Sequence, residues 1–301
     1  MDQIPLSENA RAFSDQIDKE RGDGTHELTH DLAYKRLVMV NVMYYGRPQC
    51  GDREWVLIDA ALPGTAGAIA SAAEERFGEI SRPAAIILTH GHFDHVGALE
   101  ALAARWDVPI YAHRMELPYL DGRSAYAPPD PSVGGGMMAA TSGMLPKGPF
   151  DFSKWLQTLP DNGSVPHMPG WRWIATPGHT PGHISLWREA DRCLIVGDAF
   201  VTTKQESIYA TMTQEIEMHG PPQYFTQDWE SARRSVQELA ALEPNVVVTG
   251  HGQAMQGAEM RAALNALAAD FDHIAVPKQG RYVGNPAVAD ETGTVYVPPK
   301  D

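Results

Sequence analysis

"ILTHGHFDHVGAL", residues 87–99, places His90, His92, Asp94 and His95 within six positions, directly behind the apolar run "PAAII". A short, continuously apolar run reads as a buried strand. This strand ends near Thr89, so the cluster occupies the loop at its tip. Residues two apart on an extended chain point the same way, so His90 and His92 can share one metal ion. Asp94 and His95 lie past the turn, at the start of the helix expected over "VGALEALAARW", and can face the same cavity from another side. Imidazole and carboxylate suit zinc and related divalent ions. Four such groups exceed what one catalytic ion with an open position needs. A second ion is therefore expected, with further ligands downstream.

The downstream sequence offers them. His179 lies in "TPGHTPGH" after the apolar "WRWIA", Asp198 in "LIVGDAF" and His251 in "VVVTGHG". Each repeats one design: apolar strand, small residue, ligand-type side chain. The adjacent glycines let the backbone turn sharply and approach closely. His183, in "PGHIS", reads as a bracing or structural histidine, and His113 as structural or pocket-lining. His26, His30, His167, His219 and His273 have no companions and read as surface or ordinary packed residues. Trp171 and Trp173 alternate as on a half-buried strand and read as core.

The chain has 301 residues, 43% hydrophobic and 21% charged, with a formal net charge of -14. That length allows one large α/β domain or two small ones, with a sizeable core. The acidic balance repels phosphate backbones and anionic lipid, so nucleic acid and membranes are not expected partners, and a small-molecule substrate is. Cys50 and Cys193 form no metal or redox pair, and Cys193 reads as a buried thiol. The first residues are polar and acidic and do not resemble a signal peptide. No apolar run approaches a membrane span. A cytoplasmic location is expected.

Residues 1–30 are weakly patterned and read as an N-terminal extension, with one domain over 31–301. "RLVMVNVMYYG" and "WVLIDAAL" read as strands joined by a turn near Gly51 and Asp52. "PGTAGAIASAAEERFG" reads as a helix stopped by Gly78, and "VPIYAH" as a strand. "WRWIATPGH", "HISLWRE" and "RCLIVGDAF" read as three short strands. "YFTQDWESARRSVQELAALEP" and "EMRAALNALAADFDHIA" read as helices, and the tail as irregular. The stretch at about 117–155 is rich in Pro, Gly, Met and Tyr and reads as an inserted loop. In it Tyr119, Tyr126, Met137, Met138 and Met144 are candidates for an adaptable apolar substrate cover, an inert loop being the competing reading. Lys204 and Tyr209, soon after Asp198, are candidate contacts for a substrate carboxylate or oxyanion. Two strand-rich stretches, each followed by helices, fit two packed sheets with helices outside.

H-x-H-x-D-H, the histidine of T-P-G-H, the aspartate of G-D-A and a late G-H-G, in this order from about residue 36 to 275, resemble the metallo-β-lactamase superfamily. The nearest pattern is its general hydrolase branch of glyoxalase II-like thioesterases and lactonases. The resemblance implies an α/β fold, an αββα sandwich of two mixed β-sheets flanked by helices, and a two-metal site. His90, His92 and His179 would hold one ion, Asp94, His95 and His251 the other, and Asp198 both. Asp59, closing "WVLIDA", matches an aspartate that braces the metal-binding loop. The implied cofactor is a pair of divalent ions, zinc first, with iron or manganese as alternatives.

The implied chemistry is attack of a metal-bound hydroxide on an ester, lactone or thioester carbonyl. Asp94 is either a ligand alone or also the group that orients the nucleophile and relays its proton. Two rivals are an iron persulfide dioxygenase and a β-lactam-hydrolysing enzyme. Asp94, His95 and His251 together speak against the mononuclear iron site. Ala199, Phe200 and Val201 stand where lactonases of the superfamily place a tyrosine. Lys278 and Arg281 match the glutathione-holding basic residues of glyoxalase II only loosely.

Overall fold

Strands in this chain send successive side chains to opposite faces, and both faces are apolar, so each sheet is covered twice. The computed structural model describes residues 4–7, 10–11, 24–134, 141–203 and 217–299. After a two-residue strand β1 (Ile4–Pro5), one sheet follows chain order through seven strands. These are β2 (His26–Thr29), β3 (Leu32–Leu37), β4 (Val40–Tyr45), β5 (Val56–Ile58), β6 (Ala85–Ile87), β7 (Ile110–Ala112) and β8 (Leu156–Thr158). Neighbours are antiparallel from β2 to β5 and parallel from β5 to β8.

The second sheet is built from β9 (Trp171–Ala175), β10 (Ile184–Arg188) and β11 (Cys193–Gly197), then β13 (Val246–Thr249) and β14 (Met255–Gln256). Its order is β14-β13-β11-β10-β9, with only β11 and β13 parallel. Between them in the chain, β12 (Glu217–Met218) pairs with β1. Helices described include α1 (Ala66–Phe77), α2 (Phe93–Val96), α3 (Leu99–Trp106), α4 (Leu117–Leu120), α5 (Trp229–Ala241), α6 (Gly257–Ala269) and α7 (Phe271–Ile274).

Three apolar clusters give the layers. Val56, Ile58, Ala85 and Ile87 meet Ile184, Leu186, Cys193 and Ile195 between the sheets. The alternate residues Leu57 and Ile86 face outward against Ile69 and Phe77 of α1 and Leu102 and Trp106 of α3. Leu194, Val196 and Val247 face Val236 and Leu239 of α5 and Leu264 and Leu267 of α6. The result is the αββα sandwich. Cys193 is fully buried, and burial pushes its thiol far up, so it is a core residue. Trp171 is likewise core, and Trp173 packs against the same cluster.

Several elements depart from expectation. "RLVMVNVMYYG" is two strands, not one, because Val38 and Met39 turn the chain between Leu37 and its partner Val40. Val38 takes φ 63, a conformation β-branched residues rarely adopt, so composition does not advertise this turn. His26–Thr29, inside the segment read as an extension, is the edge strand of the first sheet. Helix α5 begins at Trp229 rather than near Tyr224, because the Asp228 side chain accepts the Ser231 N–H and caps it there. The tail carries a hairpin, β15 (Val288–Asp290) with β16 (Gly293–Tyr296). The 117–155 stretch contains α4 and a 3-10 turn at Ser142–Met144.

The strands that precede the candidate ligands share one edge. β5 and β6 run parallel, as do β11 and β13, and β9 reaches the same direction through two antiparallel pairings. Their C-terminal ends are therefore brought together.

Candidate metal centre

The seven residues singled out as ligands come together at that edge. Ligand-type atoms lie within 4.8 Å of one another in three overlapping groups: His90, His92 and His179; His90, His95 and Asp198; and Asp94, His95 and His251. Asp198 Oδ2 is the centre, 3.5 Å from His179 Nε2, 3.6 Å from His95 Nε2 and 3.2 Å from His251 Nε2. His251 Nε2 is also 3.4 Å from Asp94 Oδ2, and His92 Nδ1 is 2.9 Å from His179 Nε2. His92 precedes α2 in extended conformation, and the single turn that follows swings Asp94 and His95 to the opposite side of the cavity.

Hydrogen bonds around the cluster set the tautomers. Thr89 donates its hydroxyl to Asp59 Oδ2 at 2.7 Å and so accepts from His90 Nδ1, 3.1 Å away. Thr226 donates to the Pro222 carbonyl and so accepts from His179 Nδ1 at 3.3 Å. His95 Nδ1 donates to Asp59 Oδ2 at 2.9 Å and His251 Nδ1 to the Met39 carbonyl at 2.8 Å. With Nδ1 so engaged, each of these four rings turns its Nε2 toward the cavity. Asp59 accepts from Thr89 and from His95 at the two ends of the loop, and its φ of 60 is one that aspartate tolerates.

His183 is structural. Its Nε2 accepts the Asp198 backbone N–H at 2.8 Å, which leaves Nδ1 to donate to Thr176 at 2.8 Å, so both nitrogens are used. His113 Nδ1 accepts from the Met115 N–H, and its ring lies against Trp173, away from the cluster.

The electrostatics are those of a cation site. His90 Nε2, His92 Nε2, His95 Nε2 and Asp198 Oδ1 are buried with no hydrogen-bond partner, which is costly unless something fills the space between them. Asp59, Asp94, Asp198 and Glu116 sit at or beside the centre, and among the described residues no Lys or Arg pairs with any of them. Burial works to raise the Asp198 carboxyl, but His251 and His95 outweigh it and hold it well below the usual range. Burial opposes protonation of His251 too, yet Asp198 and Asp94 push it up to about 9. Burial, with His95 and His92 nearby, keeps His90 far below the ordinary histidine range. The donor set therefore fits divalent cations: neutral imidazoles on one side, charged carboxylates between and opposite. Glycine keeps the space open, for a Cβ on Gly250 would collide with Asp198 Oδ1 and lie 2.7 Å from His95 Cε1.

Other expectations changed. Tyr119 and Tyr126 are not a pliable cover: both are buried and stacked on each other at 3.9 Å. Met144 is 86% exposed, and Met137 and Met138 lie outside the described residues, as do Lys204 and Tyr209. Arg281 is engaged within the tail, its Nε donating to the Pro298 carbonyl. Sequence reading missed Glu116 and Asn41, and gave Tyr126 to a substrate cover rather than to a place against His92. Asn41 Nδ2 donates to the Thr249 and Gly252 carbonyls at 2.8 and 2.7 Å and so brackets His251. Only the adjacency of Glu116 to the strand "PIYAH" hinted at a place near the site.

The comparisons with known proteins agree with this geometry. Residues 36–251 match the family model described as the metallo-beta-lactamase superfamily. The chain is 46% identical over 249 residues to a Bacillus subtilis protein named "Probable metallo-hydrolase YflN", covering 83% of this chain and 91% of that one. It is 24% identical over 185 residues to a hydroxyacylglutathione hydrolase of Bdellovibrio bacteriovorus, covering 58% of this chain and 60% of that one. In fold it is similar to a beta-lactamase domain protein from Burkholderia ambifaria, with a TM-score of 0.58 at 18% identity over 88% of this chain and 80% of that one.

Proposed function

Because the chain belongs to the metallo-beta-lactamase superfamily and is a metal-dependent hydrolase, we propose that it works with two divalent cations, zinc first, on an ester, lactone or thioester carbonyl of a small molecule. The observation that carries this reading is Asp198 Oδ2, which faces His179 Nε2 at 3.5 Å on one side and His251 Nε2 at 3.2 Å on the other. A single carboxylate oxygen between two groups of ligand nitrogens suits a shared ligand. Three buried carboxylates and the partly buried Asp94, none paired with Lys or Arg among the described residues, also match the charge of two divalent ions.

His90, His92 and His179 would hold one ion, Asp94, His95 and His251 the other, with Asp198 between. Such ions supply a nucleophile derived from water at neutral pH and polarise a carbonyl. The chain's own residues do the rest. Asp59, Thr89, Thr226 and the Met39 carbonyl engage Nδ1 of these imidazoles and so turn Nε2 to the cavity. Asp94, with 13% of its side chain exposed, is the most open of the ligand groups whose exposure bears on the centre. Its carboxylate can accept a proton from the attacking water and return it to the leaving group. Among the described residues no helix is long and apolar enough to cross a membrane. The free Cys50 and Cys193 suit a reducing compartment, and we place the protein in the cytoplasm.

The test is metal content of protein purified without added metal, followed by a panel of esters, lactones, thioesters and β-lactams. Two divalent ions per chain with hydrolysis of a carbonyl substrate is the expected result. His92→Ala and Asp198→Ala should each abolish turnover in folded protein. A single tightly held iron with oxygen uptake on a persulfide would replace this reading with the oxidative one.

A further inference from the structure

We propose that Glu116 is a positioning residue that sets the spacing of His90, His92 and His179, and with it the affinity of that half of the site for its cation. The inference rests on the two-cation reading. Glu116 lies just beyond β7, at the start of α4, and is fully buried. Its Oε2 accepts the Gly91 N–H at 2.9 Å and the Tyr126 hydroxyl. Its Oε1 accepts the Gly182 N–H at 2.8 Å and the Thr180 hydroxyl at 2.7 Å. Gly91 separates His90 from His92, and Thr180 follows His179. One carboxylate thus ties together two loops that lie 87 residues apart at His92 and His179.

The chemistry of the four partners requires a carboxylate. All four donate, and an ionised carboxylate is acceptor-only, so every donor is matched. A glutamine of the same shape would turn its NH2 against two of them. The clamp is also closed from above. Tyr126 sets its ring against that of His92 at 4.8 Å, is backed by Tyr119, and leaves no room for a Cβ on Gly91. The other half of the site is held by different groups: His95 by Asp59 and His251 by the Met39 carbonyl. Loss of Glu116 should therefore act on one cation and spare the other, which a general loss of stability would not do.

The experiment titrates metal-free wild type, Glu116→Gln and Tyr126→Phe with zinc against a chromophoric chelator, and repeats the titration with cobalt to read its visible absorption. Thermal melts of the metal-free proteins report folding. In folded Glu116→Gln, one binding step should weaken about 10- to 100-fold, with an altered cobalt spectrum, while the other stays within about twofold. Tyr126→Phe removes one donor of four and should weaken the same step by less. If Glu116→Gln does not fold, Tyr126→Phe decides. Unchanged steps, or two steps weakened equally, overturn the proposal. The wild-type titration separately tests the two-cation reading. Were it to show a single step, the effect of Glu116→Gln on that step would still decide the role of Glu116.

Discussion

Asp59 Oδ2 accepts the Nδ1–H of His95 at 2.9 Å while Asp59 Oδ1 accepts the Thr89 N–H at 2.8 Å. A side chain at the end of β5 thereby holds both ends of the loop that follows β6. An amide in its place cannot accept on both sides. Asp59→Asn should weaken cation binding and lower activity about 10- to 100-fold while leaving a folded protein. Zinc titration with a parallel thermal melt checks this, and unchanged affinity would remove Asp59 from the bracing role.

Gly250 allows a test that deletes no ligand atom. Gly250→Ala puts a methyl group against Asp198 Oδ1 and His95 Cε1. Its backbone is not in the left-handed region, so the damage should be confined to the site. We expect lost metal and lost turnover with a melting temperature near that of metal-free wild type. Full activity in this variant would contradict the close approach of β13 to Asp198.

Removing metal should destabilise the protein. Cations held by the folded state alone stabilise it by about 4 kcal/mol at a free concentration 1,000 times Kd. A strong chelator should lower the melting temperature, and zinc should restore it. No shift in either direction would mean that the buried carboxylates are compensated in another way.

Acid should weaken one tie between the sheets. Asp31 meets Arg188 of β10 at 2.7 Å. Burial works to raise the Asp31 carboxyl, but Arg188 and Thr29 outweigh it and hold it below the ordinary 3.8. A carboxyl lowered on folding contributes stability above its unfolded pKa and loses it as pH falls through the folded one. Asp31→Asn should therefore cost about 1.5–3 kcal/mol near neutral pH. The gap from wild type should shrink below about pH 4. Urea unfolding of both proteins across pH measures it, and a gap that widens in acid would reverse the sign of this argument.

The αββα plan was legible because its strands are apolar on both faces and are followed by helical periodicity, a local property of the chain. The candidate ligands were legible for the same reason: His90, His179, Asp198 and His251 each follow an apolar run and sit beside a glycine. The Val38 turn was not, because nothing in its residue types marks a turn. Tyr119 and Tyr126 read as an adaptable cover because Tyr suits an adaptable surface as well as a core, and only packing decides between them.

By itself, the sequence determined which side chains end the strands, and hence which imidazoles and carboxylates this protein can present to a metal ion. The tertiary structure alone decided how they are held. Sheet register brings Asp59 under His95, Asn41 and the Met39 carbonyl beside His251, and Glu116 between Gly91 and Gly182. Hydrogen bonds require donor and acceptor within a few tenths of an ångström. Residues separated by 25 to 212 positions reach that accuracy only once both sheets and their helices have packed.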